Sequence, residues 1–137
     1  MAFEQNLESI TLVADSSVGI YTGVPLQPGS PDPHYAKQYT FVKITGAMTC
    51  GLAVTKASDL VVGVLQNKPQ GVGHAATVAI RGISVVQSGE DVAAGDKVAF
   101  DTTGRAITYT GSGDQLVGVA LTACAAQNQL ISVLLKL

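Results

Sequence analysis

The sequence predicts a mainly β domain: a small β-barrel of sandwich-like build, with short helical turns and an extended N-terminal arm. Three observations predict it. Short apolar runs recur along the chain and are punctuated by Gly, Asp and Asn. The 47% hydrophobic content comes from Val, Ala, Leu and Ile, with four Tyr, three Phe and no Trp. Helical periodicity is nowhere sustained for three turns. At 137 residues the chain is long enough for one core and too short for two.

Taken in order, the first candidate strands are Ser9-Ile-Thr-Leu-Val-Ala14 and Val18-Gly-Ile-Tyr-Thr22, which alternate but are too few to bury a core of their own. Pro25, Pro28, Pro31 and Pro33 follow within one short run that cannot donate a continuous ladder of backbone hydrogen bonds, so an extended linker is expected there. This divides the chain into an arm, residues 1–38, and a barrel body, residues 39–137. In the body the apolar runs at 39–44, 60–65, 76–80, 83–87, 97–100, 106–110, 116–121 and 130–135 read as strands. Residues 54–60 and 122–127 have room for a turn or a short helix.

Leu60-Val-Val-Gly-Val64 followed by Thr77-Val-Ala-Ile80 has a faint echo in Leu116-Val-Gly-Val119 followed by Ile131-Ser-Val-Leu134. Two related β units would explain the echo, and so would the ease with which Val-Gly-Val arises in a Val-rich chain. In either copy, a Gly inside a strand marks a bulge or a close backbone approach.

Charge is sparse, at 13%, and unevenly divided. Residues 1–36 carry Glu4, Glu8, Asp15 and Asp32 with no Lys or Arg, while the eight basic residues all lie beyond them. Phe3, Tyr21, Tyr35, Tyr39 and Phe41 also crowd toward the N-terminal end. An acidic, aromatic-bearing, proline-stiffened arm suits docking, with Phe3, Glu4, Glu8, Tyr21 and Tyr35 as candidate contacts. The same arm is equally suited to folding back as edge strands of its own barrel. So little charge leaves little polar material to cover a monomer, which favours self-association.

Other functions find no support. The net charge of −2 and the scattered Lys and Arg give no field for nucleic acid. The N-terminal residues lack a signal-peptide pattern, and the apolar stretch from Leu116 to Leu135 is broken by Gln127-Asn-Gln129, so no membrane partner is expected. Cys50 and Cys124 have no CxxC partner and read as thiols rather than a disulfide or metal site. Gly71-Val-Gly-His-Ala-Ala76 fits a dinucleotide fingerprint, but a strand rather than a helix follows it. Asp101-Thr-Thr-Gly104 has one Thr too many for an aspartic protease and reads as a type I turn. His34 and His74 are the only imidazoles, and neither sits in a rigidly supported setting. Glu90, Asp91, Asp96 and Asp101 lack EF-hand spacing and read as solvated turn residues. No enzyme activity, cofactor or metal is expected.

One resemblance adds to this reading. The segment Ser88-Gly-Glu-Asp-Val-Ala-Ala-Gly-Asp-Lys-Val-Ala-Phe-Asp-Thr-Thr-Gly-Arg-Ala-Ile107, continued by Gly111-Ser-Gly-Asp-Gln-Leu-Val-Gly-Val-Ala-Leu121, resembles the capsid cement, or head decoration, proteins of tailed bacteriophages. Val62-Gly-Val64, Lys68-Pro69 and Gly73-His-Ala-Ala-Thr-Val-Ala-Ile-Arg-Gly-Ile83 fit the same family. The resemblance runs from about Phe41 to Leu137. It implies a β-barrel-like, non-catalytic virion protein, made in the host cytoplasm. Such a protein binds the outside of an assembled head, often as a homotrimer, and braces neighbouring subunits of the major capsid protein. A carbohydrate- or receptor-binding β module of a virion or cell surface is the alternative, and scarce aromatics in the body count against it.

Overall fold

The computed structural model describes residues 5–18, 37–56, 58–111 and 113–137. Nine strands run through them: β1 (Gln5–Ala14), β2 (Phe41–Gly46), β3 (Thr49–Leu52), β4 (Val61–Leu65), β5 (Ala75–Gln87), β6 (Lys97–Phe100), β7 (Ala106–Thr108), β8 (Gly118–Ala120) and β9 (Leu130–Leu135). The mainly β class holds. Among the described residues there is no helix, and the two stretches with room for one hold turns. One of these is closed by Asp59 N–H donating to the Thr55 carbonyl at 2.9 Å.

All nine strands form one sheet, ordered β1-β3-β2-β4-β5-β9-β8-β6-β7, with β1 also paired to β5. That extra pairing closes β1, β3, β2, β4 and the first half of β5 into a ring. The second half of β5 continues through β9, β8, β6 and β7, and a parallel bridge from Ser88 to Ala106 brings that path back on itself. The runs at 76–80 and 83–87, read as two strands, are thus one strand shared by two rings. Gly82, at φ 102, takes the bend between them, which a side chain would resist.

The rings share one plan. In the first, Val42 faces Leu52 on one side and Gly63 on the other, and Leu65 faces Val78. In the second, Val98 faces Thr108 and Gly118, and Ala120 faces Val133. The closing strand repeats too: Leu12 opposite Ala76 corresponds to Val86 opposite Ile131. The parallel partners Ala14 and Cys50 correspond to Ser88 and Ala106. Loops follow suit. Tyr39 N–H donates to Leu65 and Gly95 N–H to Ala120, each at 2.7 Å, and both donors have positive φ. Asn67 Oδ1 accepts from Thr77 N–H, and Thr122 Oγ1 from Ser132 N–H, each at 2.9 Å.

The sequence echo is therefore the trace of an internal repeat. A coincidence of Val-Gly-Val stretches would not bring hydrogen-bond register with it. The two glycines have the same cause: a Cβ on Gly63 would run into the Ala79 carbonyl and the Val78 side chain, and one on Gly118 into the Leu134 carbonyl and the Val133 side chain. The strands approach too closely there for any side chain.

Two apolar clusters fill the molecule. Leu12, Ala14, Val42, Cys50, Leu65 and Val78 belong to the first, inside ring one. The second holds ring two's interior, including Val86, Val98, Phe100 and Ile131, together with residues of ring one: Phe41, Ala53, Val61, Val64 and Ala79. On β2, β4 and β5, Phe41, Val64 and Ala79 alternate with Val42, Leu65 and Val78, so they lie on ring one's outer face. Ring one thus packs its outside against ring two. Phe41 N–H donates to the Gly104 carbonyl at 2.7 Å, Val61 N–H to Gln115 Oε1 at 2.9 Å, and Lys56 lies 3.6 Å from Asp114 across the same boundary.

Candidate docking surface

The residues that carry chemistry elsewhere serve structure here. Asp101 Oδ1 accepts from Thr103 N–H at 2.8 Å and Arg105 N–H at 2.9 Å, and Gly104 N–H closes the turn on the Asp101 carbonyl, as the motif predicts. Glu90 Oε1 accepts from Thr108 N–H at 2.9 Å, and Asp96 Oδ2 from Ala93 N–H at 3.1 Å. Among the described residues no three His, Cys, Asp or Glu side chains gather as a metal would need. Cys50 and Cys124 are both free. Burial first, and then the charge of Asp15, push the Cys50 thiol up to about 11, far from a reactive thiolate. Cys124 donates weakly to the Glu90 carbonyl at 3.3 Å.

Of the five candidate contacts, Glu8 is described. It lies on β1 opposite Arg81, with 3.6 Å between carboxylate and guanidinium, both well exposed. Phe3, Glu4, Tyr21 and Tyr35 lie outside the described residues, as do His34 and the proline run. Residues 5–18, assigned from the sequence to the arm, are built into the sheet as β1 and the turn after it. Leu12, Ala14 and Val18 are buried.

Two exposed apolar surfaces stand out on ring one. The first is a pole at the end of β1. Val13 N–H donates to Met48 at the β2–β3 hairpin tip (2.8 Å), and Gly73 N–H donates to Ala14 (2.9 Å), so two loops flank the strand end. They present Met48, 66% exposed, and Val72, 65% exposed, beside Val13. Met48 has φ 53, a conformation that raises its backbone energy and that the tip imposes.

The second surface is an open groove of about 550 Å³ lined by Lys43, Ile44, Thr45, Asp59, Leu60 and Val62. Leu60 is 70% exposed and Ile44 49%. Asp59 shapes one wall by accepting from Lys43 Nζ at 2.8 Å and from the backbone N–H groups of Val54 and Thr55 at 2.9 and 2.8 Å. Partial burial opposes its ionisation, but the Lys43 ammonium and the two N–H donors outweigh burial and hold the carboxyl below its usual range. None of these groove or pole residues was singled out from the sequence. An apolar residue in a strand-like run reads as core, and its exposure is decided by long-range packing. Met48, just after Gly46-Ala47, carried the one local hint of a tip.

Both surfaces are made of exposed apolar side chains, with the Lys43–Asp59 ion pair beside the groove. The family model for phage cement proteins matches residues 35–137. The chain belongs to the phage cement protein family. A fold of this kind also occurs in the head fiber gp8.5 N base of bacteriophage phi29, at 18% identity and a TM-score of 0.63, over 95% of this chain and 94% of that one. No curated protein matches the sequence. Cement-family membership makes this a capsid-associated structural protein of a phage particle.

Proposed function

We propose that the protein decorates the outside of an assembled phage head, binding across neighbouring subunits of the major capsid protein as a homotrimer and stabilising the shell without catalysis. Family membership supports the setting, and the apolar pole of Val13, Met48 and Val72 is the observation that carries the reading. A pole of this kind, held on a sheet by backbone hydrogen bonds, is a preorganised contact that needs little ordering on binding. The first 38 residues add the acidic and aromatic contacts Phe3, Glu4, Glu8, Tyr21 and Tyr35, and residues 39–137 form the remaining body. Many copies bracing one lattice make modest single contacts sufficient, provided they favour the expanded shell over its precursor.

Co-sedimentation of the full chain with undecorated, expanded capsids tests this. Replacing Met48 and Val72 together by Asp is expected to weaken binding about tenfold or more while the thermal transition stays in place. Binding that survives unchanged would overturn the pole as the dock. Truncation of residues 1–36 is not a usable test, because it removes Leu12, Ala14 and Val18 from the core; single replacements of Phe3, Tyr21 and Tyr35 by Ala take its place. A carbohydrate-binding role has less support: Phe41 and Phe100 are fully buried, and Tyr39 and Tyr109 half-buried, which leaves no open aromatic platform among the described residues.

A further inference from the structure

The repeat lets one half of the molecule serve as a template for the other. Where ring one packs its outer face on ring two, each residue on either side has a counterpart, by register, in the other ring. In ring two, Phe100 and Val117 are fully buried in the cluster shared with ring one. Their counterparts are Ile44 and Val62, and both line the open groove. Ala99, also buried, corresponds to Lys43, and Asp114, beneath Lys56, to Asp59. The groove is thus the uncovered version of a surface that ring two already has covered by a β unit of this same fold.

The covering side has counterparts as well. Phe41, Ala53, Val61, Val64 and Ala79, which do the covering, correspond to Lys97, Tyr109, Leu116, Val119 and Leu134. These lie on the outer face of ring two, partly or well exposed and apolar apart from Lys97. One molecule therefore carries an unoccupied seat on ring one and, on ring two, an unused face of the kind that fills such a seat.

From this we infer that copies of the chain associate head to tail, the outer face of ring two in one copy seating on the ring-one groove of the next. The inference deepens the self-association proposed above and rests on it. The groove's own carboxylate is not left stranded, because Asp59 already has its cation within its own ring in Lys43, at 2.8 Å. One corner differs. Gly104, whose missing side chain lets the Phe41 carbonyl and Leu52 come close, corresponds to Met48, so the contact between copies stands further apart there than the contact within the chain. A face-to-groove contact is heterologous, and such contacts close into rings when the rotation permits.

The test uses two single variants of the full chain, Leu60→Asp in the groove and Leu116→Asp on the face, in sedimentation velocity. Each alone is expected to be monomeric, with an association constant about tenfold or more below wild type. Mixed, they are expected to form a 1:1 pair, because one intact groove and one intact face remain between them. A wild-type monomer overturns the self-association itself. A wild-type assembly that both variants retain overturns the surfaces assigned here and leaves self-association standing. Two monomeric variants that fail to pair on mixing overturn the head-to-tail arrangement. Ile44→Asp and Lys97→Glu repeat each arm of the test should either first variant lose its native circular dichroism.

Discussion

Ring one and ring two share a hydrogen-bond register and, apart from Val42 with Val98 and Val78 with Val133, differ in most side chains inside it. Leu65 and Ala76 in ring one become Ala120 and Ile131 in ring two, and Leu52 becomes Thr108. In the first exchange a large residue on one strand and a small one on the next trade places, so the space is filled from the opposite side. Most of what else does not change is backbone-determined: Gly63 and Gly118, the positive-φ turns before β2 and β6, and the side-chain oxygens that satisfy single strand N–H groups. Fold is held by these few positions, while volumes are free to drift in compensating pairs. The outer surfaces diverge further, because ring one covers the part of ring two that matches the groove, while the groove itself stays open.

The comparison can be broken or sharpened by experiment, starting with the close approaches. Gly63→Val and Gly118→Val each drive a side chain into a facing carbonyl and are expected to cost about 3 kcal/mol or more in urea unfolding. Similar losses would show that both rings depend on the same contact, and a tolerated valine in either would break the equivalence. Next come the hairpin tips. Gly104→Ala combines positive φ with a blocked approach to Phe41 and Leu52, and should lose about 2 kcal/mol. Met48→Gly, at the matching exposed tip, should instead gain up to about 1 kcal/mol. Opposite signs at matching positions would confirm that one tip is seated and the other free.

The smallest effect is electrostatic. Asp59 and Asp114 occupy matching positions and both have carboxyls held below the usual range. For Asp114, burial again opposes ionisation and is outweighed, here by hydrogen bonds from Thr110 and by Lys56. A depressed folded-state pKa means stabilisation that is present above the unfolded carboxylate value of about 4 and is lost as pH falls through the folded value. Thermal melts should therefore fall off below about pH 4, and less steeply in Asp59→Asn and Asp114→Asn. Unaltered acid profiles in both variants would remove these carboxylates from the acid response.

Much of the strand content was legible because Val, Ile and Leu cluster where β4 and β9 form. β3 was not, since Thr49-Cys-Gly-Leu52 is short and its glycine lies against Asp15 rather than in an alternating pattern. Nor was the unity of β5, because Arg81-Gly82 reads as a turn when it is a bend within one strand. The repeat showed through chiefly around its glycines, the positions sterics pin down, and was hidden in most other places by the exchange of large and small residues. Of the candidate contacts, Glu8 lies on an exposed strand, while the exposure of Ile44, Leu60, Met48 and Val72 comes from contacts no local pattern encodes.

The sharing of β5 has a mechanical consequence. Its 13 residues, roughly 40 Å of extended chain, belong to both rings and are flanked by β1 on one side and by β4 and then β9 on the other. Tension along this strand loads those ladders in shear, so their hydrogen bonds resist together instead of parting one after another. A molecule held through both rings would therefore carry stretch along this one strand, with neighbouring strands bearing the load beside it.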